Sequence, residues 1–305
     1  MSATRTIGLI GVPSSAGAHW PGQEKAPQYL RRAGLVERLE ASGALVVDHG
    51  DLPVVRFWPD RSHPNQQNLA RVVDIATRTA NQVEAVVRGQ EIPLVVGGDC
   101  TIALGVITGF LRHGIDLGLM YFDGHIDLNT PATSMSGILD SMGMAHLIGV
   151  AGVAEALSHI GPSFPLLSRD KIVAFGYNPR EMNEVEHEVL ARHPMLTYPL
   201  AHVQGKAKDA AAEALMQLEG RAERFVVHFD VDVIDFVDFP IADVPQINAG
   251  LTFQDALACL EVFVSSPQFA GLTIAEISPD HADEEGTLLT TLVNSLVNVF
   301  AARRP

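Results

Sequence analysis

Short apolar, often β-branched runs recur along the chain between glycines and prolines, at residues 6–12, 45–47, 93–96, 117–122, 171–175, 225–229 and 271–277. They are apolar along most of their length instead of alternating, as expected for strands covered on both faces. Helical spacing fills the intervals. Residues 68–88 place Leu69, Val72, Val73, Ala76, Ala80, Val83 and Val87 on one face, and 209–218 form a second helical stretch. Alternating strands and helices predict an α/β protein with a mostly parallel sheet and helices on both sides. No repeat, low-complexity tract or charge block divides the chain, and the polar segment 59–67 (PDRSHPNQQ) is only loop-length. The expectation is a single domain over residues 1–305.

Composition narrows the function. With 305 residues and 47% apolar content, the chain can bury one large core. Thirty-six acids against 21 Lys and Arg give a formal charge of −15. That charge repels nucleic acid and anionic membranes and attracts a small cation. Two cysteines, Cys100 and Cys259, form no disulfide framework and suit a reducing compartment. The start MSATRTIGLIGVP carries no apolar leader, and the run 288–302 is interrupted by Thr, Asn and Ser. A cytoplasmic protein is expected, with 288–300 serving as a core helix or as a subunit contact.

In an open parallel sheet, ligands gather beyond the carboxyl ends of the strands. Three polar segments stand there: Gly97-Gly98-Asp99-Cys100, Asp123-Gly124-His125-Ile126-Asp127 and Asp230-Val231-Asp232. In extended backbone Asp123, His125 and Asp127 share one direction, and two carboxylates with an imidazole suit a divalent cation. The alternative is a polar strand end with Asp127 capping a turn. Asp230 and Asp232 repeat the spacing, and like charges packed at a buried strand end call for a cation between them. Asp235 is placed to brace the following loop.

With these segments in order, the chain resembles the ureohydrolase family of arginase and agmatinase, which hydrolyse guanidino or formimino groups with a two-manganese cluster. The matching motifs are 97–100 for GGDH, 123–127 for DAHxD, 228–235 for SxDxDxxDP and 275–279 (AEISP) for EVNP, with further similarity at 7–13, 30–35 and 50–53. The similarity covers nearly the whole chain. It implies a three-layer α/β/α sandwich around a mostly parallel sheet of about eight strands. It also implies two divalent ions, Mn²⁺ by family, a small cationic guanidino or amidino substrate, and a homo-oligomer, trimer or hexamer. By resemblance Asp123 and Asp230 bridge the ions, His125 and Asp232 complete one site, and Asp127 with Cys100 the other. Glu276 pairs with the substrate's guanidinium or amidinium. The implied reaction is attack by a metal-bridging hydroxide on the amidine carbon, releasing urea or a related product.

Several positions depart from the family pattern. Cys100 stands where the family has a histidine ligand. A thiolate there favours Zn²⁺, Fe²⁺ or Co²⁺ over manganese, whereas a merely packed thiol leaves that site weakened. Asn129 and Ser136 match arginase contacts to an α-carboxylate, but a second Asn is replaced by Ile138. The family's proton-shuttling histidine falls on Asp140, a carboxylate that burial can tune for proton transfer. A shifted alignment puts Met142 there instead, with His146 nearby as a packed residue. Glu181 and Glu184 are candidates for an α-amino contact or are plain helix-start acids. His228 supports a ligand carboxylate or is bonded to backbone. Asp280 is an outer brace and Asp283 a helix start. Two rivals stay open: a catalytically degenerate arginase-like protein with a binding or regulatory role, and a single-metal, deacetylase-like amide hydrolase using His125, Asp123, Asp230 and Asp232.

Overall fold

The apolar runs become strands because neither face of such a segment has a polar side to turn to water. In a computed structural model describing residues 6–302, the strands are β1 (Ile7–Gly11), β2 (Val46–Asp51), β3 (Ile92–Val96), β4 (Leu117–Phe122), β5 (Ile172–Phe175), β6 (Leu196–Tyr198), β7 (Arg224–Asp230) and β8 (Phe269–Ala275). They form one sheet in the order β2-β1-β3-β8-β7-β4-β5-β6, and every pairing is parallel.

Eleven α-helices flank the sheet among the described residues: α1 (Ala26–Arg32), α2 (Leu35–Ala41), α3 (Leu69–Arg88), α4 (Ile102–Arg112), α5 (Gly143–Ile148), α6 (Glu155–Ser158), α7 (Glu184–Arg192), α8 (Leu200–Val203), α9 (Ala207–Glu219), α10 (Phe253–Val264) and α11 (Thr287–Ala301). Strand alternation divides the core in two. Met120 and Phe122 of β4 face a cluster containing Leu30, Leu39, Ala211, Leu260 and Leu296. Leu119 and Tyr121 face the opposite cluster, with Val72, Ile75, Leu104 and Ile107. This is the expected α/β/α sandwich.

Three elements differ from expectation or decide an open reading. β6 has only three residues at the sheet edge, too few to register as an apolar run. β2 extends into Asp48, His49, Gly50 and Asp51 and is mostly exposed, with Arg31 donating to both Asp48 and Asp51. Helix α11 buries Leu289, Leu292, Val293 and Leu296 in the chain's own core, so the 288–300 run is a core helix. Among the described residues no helix is long and apolar enough to cross a membrane.

The order β3-β8-β7-β4 at the middle of the sheet brings four strand ends side by side. The segments after them are the three polar segments read from the sequence, plus Glu276 after β8.

Candidate metal centre and active site

After β3 the chain reverses through Gly97 and Gly98, at φ 92° and 88°. A Cβ on Gly97 would stand 2.6 Å from Pro27, so only glycine passes there. Asp99 turns back, its Oδ2 accepting from the Gly17 amide (3.0 Å), and so pins the neighbouring loop. Cys100 faces the strand ends, 2% exposed. Its amide donates to Asp140 Oδ1 (2.6 Å) and its thiol to Asp230 Oδ2 (2.9 Å). Its Sγ also lies 3.8 Å from Asp123 Oδ2 and 3.1 Å from His228 Nε2.

The extended geometry expected for 123–127 and 230–232 does not persist past the strands. Asp123 Oδ1 accepts from the His125 amide (2.6 Å) and Asp230 Oδ1 from the Asp232 amide (2.7 Å). Each aspartate thus closes a tight turn over its own backbone and leaves its second oxygen facing the site. Asp232 Oδ2 lies 2.7 Å from His125 Nδ1, and its Oδ1 accepts from the Gly124 amide (3.0 Å). Gln246 meets the other ring nitrogen of His125 at 2.9 Å. Asp127 sits in the left-handed region at φ 51° and accepts from the Tyr121 hydroxyl at 2.5 Å.

Glu276 follows β8, also with positive φ (61°). Its Oε2 accepts from Gln23 Nε2 (2.8 Å), while Oε1 is buried without a hydrogen-bond partner among the described residues. Three sets of donor atoms lie mutually within 4.8 Å: Asp123, His125 and Asp232; Cys100, Asp123 and His228; and Cys100, Asp140 and Glu276.

The electrostatics are those of a site built for positive charge. Burial, then neighbouring acids, pushes the carboxyls of Asp123, Asp230, Asp140 and Glu276 well above their ordinary range. Asp127 is raised to about 7, chiefly by burial. Burial opposes a charged His125, but Asp232 together with Asp123 and Asp127 outweighs it and raises the imidazole pKa well above its ordinary value. Among the described residues no Lys or Arg bonds to any of these acids. So many carboxylates ionise together only when cations stand between them.

The remaining predicted residues lie around this centre. Asn129 is buried, and its Oδ1 accepts from Asn183 Nδ2 (3.0 Å) and Thr133 Oγ1 (3.3 Å). Ser136 is exposed on the same loop, 3.3 Å from Ser134 Oγ. Glu181 and Glu184 are exposed. The buried acid there is Glu186, which closes a capping box with Asn183 at the start of α7 and also accepts from the Leu128 amide (3.2 Å). The spacing Asn183-x-x-Glu186 is the sequence signal for this contact. Gln23, Tyr121 and Gln246 carried no such local signal, since only the tertiary fold brings them to the centre.

His146 is a packed residue: its Nδ1 donates to the Met142 carbonyl (2.7 Å) and its Nε2 accepts from the Ala154 amide (3.0 Å). Asp235 braces its loop by accepting from the Val237 amide (2.9 Å). Asp280 pairs with Lys25, and Asp283 caps α11 through the Leu288 amide (2.9 Å). His228 takes neither expected role and instead meets the sulfur of Cys100.

An all-parallel sheet with acids, an imidazole and a thiol converging on its central strand ends defines a three-layer α/β/α protein with a candidate metal centre. A family model described as the arginase family matches residues 5–298. Arginase-1 of Homo sapiens is 33% identical over 311 residues, covering 99% of this chain and 94% of that one. The structure of arginase from Bacillus caldovelox aligns with a TM-score of 0.87 at 27% identity, over 97% of this chain and 98% of that one. A Trypanosoma cruzi formiminoglutamase variant with Mn²⁺ shares the fold, with a TM-score of 0.76 at 19% identity over 100% of this chain and 96% of that one. The chain belongs to the arginase family of hydrolases.

Proposed function

We propose that the protein hydrolyses the C–N bond of a linear amidine, a guanidino or formimino group, in a metal-dependent reaction. The observation that carries this reading is Glu276. Its carboxylate is buried beside Cys100 and Asp140, one oxygen is held by Gln23, and the other is left without a partner among the described residues. A planar cation with parallel N–H groups satisfies such a carboxylate and is fixed in orientation by it. A cation held there would lie on the side of the centre formed by Cys100 and Asp140. Reading residues 1–305 as one domain is supported by the placement of all eight strands in one sheet.

The donor set of Asp123, Asp230, His125 and Asp232 is oxygen and imidazole, which suits manganese. Asp127 and Cys100 complete the second position of the proposed centre. When bound, divalent cations supply a water that ionises near neutral pH. The chain's own residues do the rest. Gln246 orients the His125 ring, and Tyr121 orients Asp127. Asp140, held above the ordinary carboxyl range by burial and then by Asp99, is suited to carry a proton to the leaving amine. Asn129 and Ser136, on the loop after β4, are assigned to the far end of the substrate, with Glu181 at the rim.

The test is metal analysis of the purified protein together with a urea and ammonia release screen. The screen covers arginine, agmatine, guanidinobutyrate, guanidinopropionate and formiminoglutamate. Turnover of one of these with two ions per chain is the expected result. One ion per chain with amide hydrolysis supports the single-metal reading, and no bound metal with no turnover supports a binding role.

A further inference from the structure

The thiol of Cys100 is enclosed by partners that arrange it as a ligand. It donates to Asp230 Oδ2 at 2.9 Å, and Asp123 Oδ2 lies 3.8 Å away. Behind it stands His228, fully buried in β7, with Nε2 3.1 Å from the sulfur. The His228 ring is held in place by stacking on Tyr121, its cross-strand neighbour in β4, with centroids 4.8 Å apart. Its other nitrogen, Nδ1, is buried without a partner among the described residues.

This pattern fixes the tautomer. An unpaired ring nitrogen without a proton is a weaker penalty than a buried N–H with no acceptor, so the proton belongs on Nε2, directed at the sulfur. Cys100 Sγ therefore accepts from His228 while donating its own proton to Asp230. Replacing that proton by a metal ion leaves the His228 bond intact and turned toward a thiolate. Donor spacing agrees with this exchange. Ligands at about 2.3 Å (sulfur) and about 2.0–2.2 Å (oxygen) around a tetrahedral ion stand roughly 3.5 Å apart, and Asp230 and Asp123 bracket that value at 2.9 and 3.8 Å. A carboxylate oxygen of Glu276 lies in a donor group with the same sulfur.

We propose that Cys100 binds metal as a thiolate with Asp123 and Asp230, that His228 is its positioning residue through an Nε2–H···S hydrogen bond, and that this pocket selects a thiophilic ion over manganese. The proposal rests on the metal-dependent reading above and names the ion class at one half of the centre. Binding expels the thiol proton to solvent, and no oxidant or reductant is needed. Zinc, iron(II) and cobalt(II) suit sulfur with oxygen, while manganese suits the His125 side.

Cobalt(II) added to the metal-stripped full-length protein is the test. The expected spectrum contains an intense near-ultraviolet sulfur-to-cobalt charge-transfer band, absent in Cys100→Ser. His228→Ala shifts the band to lower energy, because the thiolate loses its hydrogen-bond donor, and His228→Gln restores much of the shift. In competition with a chelator, Cys100→Ser retains zinc at least tenfold less well than the parent. Cobalt bound by the parent protein without a sulfur band overturns the proposal, whatever the variants do. A band whose energy His228→Ala leaves unchanged overturns the positioning role. Amidine turnover with an oxygen and nitrogen shell alone keeps the function and removes this inference. A sulfur band with no amidine turned over keeps this inference and removes the function. No bound metal removes both.

Discussion

At the residue scale, the most informative groups are buried ionisable side chains held in defined states. Glu276 is 1% exposed, and among the described residues its only side-chain hydrogen bond comes from Gln23. Glu276→Gln keeps the shape but removes the charge proposed to oppose an amidinium. A loss of 100-fold or more in kcat/KM, about 3 kcal/mol, with unchanged metal content is expected. Retained activity would remove Glu276 from substrate binding. His146 supplies a pH signature away from the proposed metal ligands. Burial lowers its pKa to about 4, against about 6.5 in the unfolded chain. A lowered histidine pKa means the neutral ring's contribution is complete above pH 6.5 and is lost as the pH falls toward 4. Between pH 7.5 and 4.5 the metal-free protein is expected to lose about 2–3 kcal/mol more than His146→Leu, measured by denaturant unfolding. Parallel pH curves for the two proteins would contradict the assignment.

At the scale of elements, the close packing of α3 and α4 positions the centre, because α4 begins two residues after Cys100. A Cβ on Gly105 would stand 2.5 Å from the Ala76 carbonyl oxygen, and on Gly109 2.7 Å from that of Ala80. Backbone atoms cannot yield as side chains do. Gly105→Ala is therefore expected to destabilise by about 1–3 kcal/mol, outweighing its helix-propensity gain of roughly 1 kcal/mol. Gly220→Ala, at the end of α9 with no neighbour nearer than 3.7 Å, is expected to be neutral or slightly stabilising. Thermal melts that fail to separate the two variants would count against the packing argument. The same contrast explains what was legible beforehand. Long periodic segments such as α3 were readable because burial repeats with the helix; its buried face is Val72, Ile75, Ala76, Thr79, Ala80, Val83 and Val86, with Val73 and Val87 only half-buried at its edges. β6 and the polar half of β2 were not readable, since an edge strand takes its form from its neighbour and not from its own pattern. At the site, motifs gave Asp123, His125, Asp127, Asp230, Asp232 and Glu276. Gln23, Gln246 and the His228–Cys100 contact come from distant segments that only the sheet order aligns.

At the scale of the whole molecule, the −15 charge matters less through its total than through the acids gathered at four strand ends. Folding raises the carboxyl pKa values of Asp123, Asp127, Asp230 and Glu276, chiefly by burial, so in the metal-free protein their contribution to stability is complete below about pH 4. It is then lost as the pH rises through the folded values, which for Asp127 is about 7. Cations act in the opposite direction, because they bind the ionised forms and compete with protons for them. Stabilisation by a ligand at about 1,000 times its Kd is roughly 4 kcal/mol. Added manganese should therefore raise Tm by an amount of order 5–10 °C at pH 8 and by much less at pH 5, where protons occupy the same oxygens. Scanning calorimetry of the stripped protein with and without manganese at both pH values measures this directly. A shift equal at the two pH values would mean that the ion binds elsewhere on the acidic surface. A shift confined to the higher pH, and abolished by Asp232→Asn, ties the stability of the sheet's central strands to the ions they converge upon.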